Sequence, residues 1–183
     1  MPTYAGRLLV ATPELRDPNF SHTVVLLLGH NDEGALGVVL NRPSDTPVGE
    51  VLPGWAPVVA QPDVVFFGGP VAFDSVVGLG RYDDEEQGGP SFRPIVGSVG
   101  TVDLNLPPDP AAPPREVRLF AGSAGWGGGQ LEEEIAEGSW FVVDALEDDT
   151  AAELPEDLWA AVLRRQPGRL SWFANAAGDP GLN

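Results

Sequence analysis

The segment FAGSAGWGGGQLEEEI, Phe120 to Ile135, holds the residue types and spacing that come nearest to chemistry in this chain. A strand-like run, Val117–Ala121, enters a stretch with glycine at 122, 125, 127, 128 and 129, and a helix is expected from Gln130. A glycine-rich loop between strand and helix can cradle a phosphate on its backbone N–H groups. The P-loop version also needs a lysine, and all ten cationic residues of this chain are arginine. Carboxylates at Glu132, Glu133 and Glu134 already answer the positive end of the helix dipole and repel an incoming anion.

A second chemistry is suggested by Ala121-x-Ser123-x-Gly125, close to the small-x-Ser-x-Gly elbow that presents a hydrolase nucleophile. The elbow puts the helix directly after the serine, whereas Trp126–Gly129 intervenes here. The hydrolase order is serine, acid, histidine, yet both histidines, His22 and His30, precede Ser123. A Ser123–His22 pair in another order remains open; otherwise Ser123 reads as a turn residue. His30, Asp32 and Glu33 match no zinc or calcium spacing, and Asn31–Gly34 is ordinary hairpin chemistry. Glu132 and Glu133 are adjacent on a helix and point apart, so they make no acid–base dyad. With no cysteine there is no thiolate ligand or nucleophile. The expectation is no catalytic residues, no metal and no cofactor.

The elements that must position these residues follow from pattern. The 183 residues suit one core, hence one domain over 1–183. Gly6–Thr12 reads as a strand; Thr23–Leu28 and Ala35–Leu40 read as a hairpin whose runs do not alternate, so both faces should be covered. Val64–Phe67, Ser75–Arg81, Gly100–Leu104, Val117–Ala121 and Trp140–Val143 are further strand candidates. Val48–Leu52 is at most a short turn, and Gln130–Glu137 a brief helix closed by Gly138. Pro155–Arg165 carries an apolar stripe of Leu158, Trp159, Val162 and Leu163, and Leu170–Ala176 forms a last helical segment. Asp83–Pro90 and Asn105–Pro114 read as exposed loops, and the five tryptophans as core anchors. Strands and helices mix without βαβ alternation, which predicts an α+β fold.

The net charge of -17 excludes more than it suggests. Nucleic-acid affinity rests on cations displacing counterions from phosphates, so direct tight binding to nucleic acid or anionic membrane is not expected. Arg164, Arg165 and Arg169, the one basic cluster, fit the carbonyl end of a helix. No signal sequence or membrane-spanning run is visible, which points to the cytoplasm.

Three blocks, GRLLVATPELRDPNFSHTVVLLLGHNDEGALGVVLNRP at Gly6–Pro43, VFFGGPV at Val65–Val71 and RLFAGSAGWGGGQLEEEI at Arg118–Ile135, then SWFVVDA, resemble the YqgE/AlgH family over nearly the whole chain. The resemblance implies a bifurcated, mostly antiparallel sheet curled into a barrel-like core flanked by a few helices. The AlgH name implies transcriptional regulation, and the family brings no agreed catalytic residues. Ser123 stands where that pattern usually has tyrosine, and His22 where it has arginine or lysine, which weakens a catalytic role for either.

Three tight turns, at Asn41–Pro43, Phe66–Pro70 and Gly122–Gly129, are expected to meet at one end of the barrel. There Asn41 and Arg42 would supply polar groups to a concave ligand site rimmed by Gly68, Gly69, Gly125 and Trp126. The competing reading has Asn41 capping a turn and Arg42 pairing with a surface acid. The expected function is a non-enzymatic domain acting through a protein partner with a basic surface, with an indirect effect on transcription. A small-ligand binder or enzyme at the Asn41, Arg42, Gly69 and Trp126 pocket is the alternative. Neither oligomeric state nor partner identity follows from the residues.

Overall fold

Aliphatic runs without alternation demand cover on both faces, and the computed structural model, which describes residues 3–176, supplies it. The strands are β1 (Arg7–Ala11), β2 (Val24–Asn31), β3 (Gly34–Val39), β4 (Pro43–Pro47), β5 (Val64–Phe67), β6 (Val71–Arg81), β7 (Arg93–Val96), β8 (Val99–Val102), β9 (Glu116–Gly127) and β10 (Trp140–Asp144). The helices are α1 (Val48–Val51), α2 (Gln130–Ala136), α3 (Leu158–Arg164) and α4 (Leu170–Ala176). The main path runs β10-β1-β2-β3-β9-β6-β8-β7, with β5 pairing β9 and β4 pairing β5. These pairings are antiparallel except β5 with β9. The result is a curled, mostly antiparallel sheet with few helices, an α+β fold.

Strand β2 shows the two-sided burial. Val24 and Leu26 face one core with Leu8, Val38, Phe66 and Phe120, while Val25 and Leu27 face a second with Leu9, Val39, Trp126 and Trp140. The stripe of α3, Leu158, Trp159, Val162 and Leu163, is buried against the first of these cores. Among the described residues, no helix is long and apolar enough to cross a membrane.

The sheet divides along β9. Its residues 116–123 lie against β6, with Phe120 and Ala121 also paired to β5; residues 124–127 turn to pair with β3. The glycine-rich stretch is therefore largely strand rather than loop, because β9 runs twelve residues to Gly127 before α2 begins. Glycine is required where chains cross. Gly122 has φ +76, and a Cβ there would lie 2.6 Å from the carbonyl oxygen of Gly69 and 3.0 Å from that of Val71. The small residues let β9 pass directly under the turn between β5 and β6.

Two strands escape the sequence pattern. β4 (PSDTP) and β7 (RPIV) each contain proline, which reads as turn, yet both sit at sheet margins where a missing N–H costs no ladder bond. Asp83–Pro90 holds a one-turn 3-10 segment, Glu85–Gly88, capped by Asp84, which accepts from the Glu86 N–H.

Candidate functional site

The pairing of β6 with β9 breaks at an exposed stretch of β6. Val71 pairs with Ser123 and Val76 with Ala121, so Ala72–Ser75 bulge out opposite the single residue Gly122. Residues 71–75 all face solvent, and Ala72 holds φ +53, a left-handed conformation an alanine adopts only at a cost. The bulge displays Phe73 (64% exposed), Val71 at its edge is 47% exposed, and Phe67 at the end of β5 (51%) faces solvent too. Phe67, Gly69, Pro70 and Phe73 line a cleft of about 210 Å³, with Arg42 and Asn19 on its polar side and Val39 among its lining.

Of the residues expected to share a site, the cleft gathers Arg42 and Gly69. Gly68 is next in the chain but is used as a joint: its N–H donates to the Ala121 carbonyl (2.7 Å), and its own carbonyl accepts from Val39 N–H (2.8 Å). Asn41 is a staple outside the cleft lining. Its Oδ1 accepts from Val24 N–H (3.0 Å) and its Nδ2 donates to the His22 carbonyl (2.9 Å). Arg42 donates from Nη1 to the carbonyls of Pro18 (2.8 Å) and Asn19 (3.0 Å), and from Nη2 to that of Ser21 (2.8 Å). Its partners are therefore carbonyls, where the alternative reading expected a surface acid. Burial lowers its pKa from the ordinary arginine value, and the nearby Asp17 carboxylate partly offsets that.

Gly125 and Trp126 lie elsewhere. Both are in β9, opposite Leu36 and Ala35, and Trp126 packs into the second core with Trp140 and Phe20. Glu134 of α2 explains why two indoles can be buried there. Its Oε1 accepts from Trp126 Nε1 (3.1 Å) and Trp140 Nε1 (3.0 Å), and its Oε2 from Gln130 Nε2 (2.9 Å). Replacing Glu134 with leucine leaves both indole N–H groups without an acceptor, at about 1–3 kcal/mol each. Glu134→Leu should lower unfolding free energy by about 2–6 kcal/mol, and Glu134→Gln, which keeps an acceptor oxygen, by less than half of that. Urea melts of the two variants against the parent check the ranking.

The catalytic alternatives are not assembled. Ser123 is a buried mid-strand residue, not the tip of a strand-to-helix turn. The hydroxyl at His22 Nδ1 is that of Ser21 (3.0 Å), and the His22 ring lies 4.5 Å from that of Trp159. His30 is fully engaged: Nδ1 accepts from Tyr4 N–H (3.0 Å), which leaves the proton on Nε2 to be donated to Glu132 Oε1 (2.6 Å). Asp32 and Glu33 sit exposed at the hairpin turn.

Arg118 on β9 was not legible as special. It is 1% exposed, with Nη1 donating to the Ala152 carbonyl (2.8 Å) and Nη2 to that of Gln61 (2.7 Å). Its guanidinium carbon stands 4.3 Å from the Phe66 ring centroid, and its Nε has no partner. Burial pushes its pKa down to about 10, against an upward pull from Glu116. Only the alternation of β9, which turns residue 118 inward with Phe120, carries a hint of this.

The AlgH-like family model, DUF179, matches residues 8–171. A UPF0301 protein of Streptomyces coelicolor is 50% identical over 182 residues, covering 97% of this chain and 94% of that protein. A UPF0301 protein of Thermobifida fusca is 47% identical over 187 residues, with the same coverage of 97% and 94%. The crystal structure of protein DIP2367 from Corynebacterium diphtheriae is similar at TM-score 0.88 and 34% identity, covering 95% of this chain and 93% of that one. The solution structure of the AlgH protein from Pseudomonas aeruginosa is similar at TM-score 0.68 and 29% identity, covering 98% and 97%. With sequence and fold matched from the first strand into the last helix, this chain belongs to the AlgH-like, UPF0301, family.

Proposed function

We propose that this chain is a non-enzymatic protein-interaction domain, that its contact face is the β6 bulge with the adjoining cleft, and that any effect on transcription passes through the protein it binds. A cytoplasmic setting belongs to the same reading. One observation carries it: Phe67, Val71 and Phe73, large apolar side chains, are held 47–64% exposed, Phe73 on a backbone excursion that includes a strained Ala72 and Val71 at its edge. Strand pairing does not need the excursion, since β6 pairs with β9 regularly from Val76 onward. Proline at 43 and 47 on β4 and at 94 on β7 disfavours strand addition at those margins, so recognition by side chains fits better. The charge of -17 supports an indirect route, because the chain repels a polynucleotide.

A second reading, a small-ligand site, is favoured by the cleft itself, which sets Arg42 beside Gly69. The two readings part in a cross-linking experiment in living cells. A photoreactive phenylalanine analogue in place of Phe73 should form a discrete protein adduct, absent when the analogue replaces the exposed Asp84 and lost when Phe67→Ser accompanies it. Equal labelling at both positions, or none at 73, counts against the interaction face.

A further inference from the structure

Resting on the interaction reading, we propose that the cleft beside the bulge is a socket for one aromatic side chain of a protein partner, presented on a basic segment. Size sets the first limit. A cavity of about 150 Å³ holds a benzene ring, so about 210 Å³ suits a single ring. The walls are those of an aromatic site: Phe67 and Phe73 from two strands, Pro70 between them, and Val39. Arg42 decides the class of ligand. Three of its N–H···O contacts are made to Pro18, Asn19 and Ser21, which consumes most of the in-plane fork that would grip a carboxylate or phosphate. What it can still offer is its flat cationic face, which favours a π-face over an anion.

Charge decides the rest of the partner. Asp74 stands on the bulge and Asp17 beside Arg42, within a chain of net charge -17. Such a field draws in a segment whose flanking residues are Lys or Arg and turns away an acidic one. It also argues against a second copy as occupant, since two such chains repel. The competing case within the chain is Trp172, 74% exposed and three residues from Arg169, which is why self-association enters the test.

The test titrates the full isotope-labelled chain with three blocked peptides: Arg-Arg-Phe-Arg-Arg, Arg-Arg-Ala-Arg-Arg and Glu-Glu-Phe-Glu-Glu. The basic phenylalanine peptide should shift the amide resonances of Gly69 and Phe73, bind about tenfold tighter than its alanine analogue, and weaken as salt rises. Phe73→Ser, a change at an exposed position, should keep the dispersed spectrum and erase the tenfold preference. Equal binding of the alanine analogue, equal binding of the acidic peptide, or shifts confined to another face each overturns the socket. So does benzoate shifting the same amides as strongly as the basic peptide. A concentration-dependent dimer lost in both Phe73→Ser and Trp172→Ser makes a second copy the occupant and also overturns it. If cross-linking at position 73 succeeds while the peptides fail, the interaction face stands and the aromatic socket falls; if both fail, both fall.

Discussion

Arg118→Ala is expected to remove about 3–5 kcal/mol of stability, read as a fall in the urea midpoint with little change in slope. The substitution opens space beside Phe66 and leaves the carbonyls of Gln61 and Ala152 without their guanidinium donors. Those two contacts tie the β6-paired half of β9 to the segment before β5 and to the segment after β10, so their loss loosens both connections. Arg118→Met separates packing from charge. It fills most of the volume, removes a buried cation whose Nε has no partner, and should cost well under half as much as alanine. The pKa supports this ordering. The drop from the ordinary arginine value to about 10, at about 1.4 kcal/mol per pH unit, corresponds to about 3 kcal/mol against the charged form in the folded state. Because the folded pKa lies below the unfolded one, the unfolded chain holds the extra proton between them. That cost is present in full below about pH 10 and is relieved as pH climbs above about 10 toward the ordinary arginine value. Tyr82, whose pKa is raised by burial and then by Asp109, works the other way above pH 10. Arg118→Met should therefore lose the parent's upward contribution in alkaline melts and keep the Tyr82 decline.

Gly69→Ala is expected to be at least as damaging, on the order of 4 kcal/mol or a failure to fold. Gly69 holds φ +153, and a Cβ there would fall on the backbone carbonyl of Ser123, a strand that cannot move without breaking its pairing. Gly49 supplies the control, since a Cβ there meets nothing within 4 Å and the residue lies in α1. Gly49→Ala should be neutral or stabilising by up to about 1 kcal/mol. Thermal melts of the pair read the contrast directly. Equal, small effects at both positions would show that the crossing under the β5–β6 turn is looser than the close approach of Gly69 to the Ser123 carbonyl requires. If Gly69→Ala does fold, the displaced turn should carry Pro70 and Phe73 with it and weaken capture at the cleft.

Much of this architecture is written in local pattern. The hairpin of β2 and β3 follows from two aliphatic runs around Asn31–Gly34, and the lack of alternation in Val24–Leu27 already demands two covered faces. Val64–Phe67 and the stripe of α3 needed nothing beyond residue type and spacing. Local pattern ends β9 at Ala121, because five glycines outweigh strand propensity in any local reading. The strand continues because glycine alone permits the crossing with Gly69, a fact about chain segments some fifty residues apart. Arg42 and Gly69 could be put together as turn residues. Phe67 and Phe73 could not be, since nothing in VFFGGPVAFDSV tells an outward phenylalanine from an inward one.

The sequence by itself determined the α+β character, the two-faced strands, the acidic surface and the family, because hydrophobic periodicity, net charge and motif identity are properties of the chain. Only the tertiary structure decided that the glycines form a strand crossing, that Glu134 seats two tryptophans, that Arg118 is buried, and that the β6 bulge leaves a cleft beside Arg42. Each of those depends on a side chain meeting a backbone distant in sequence, and no local pattern encodes which segments will meet.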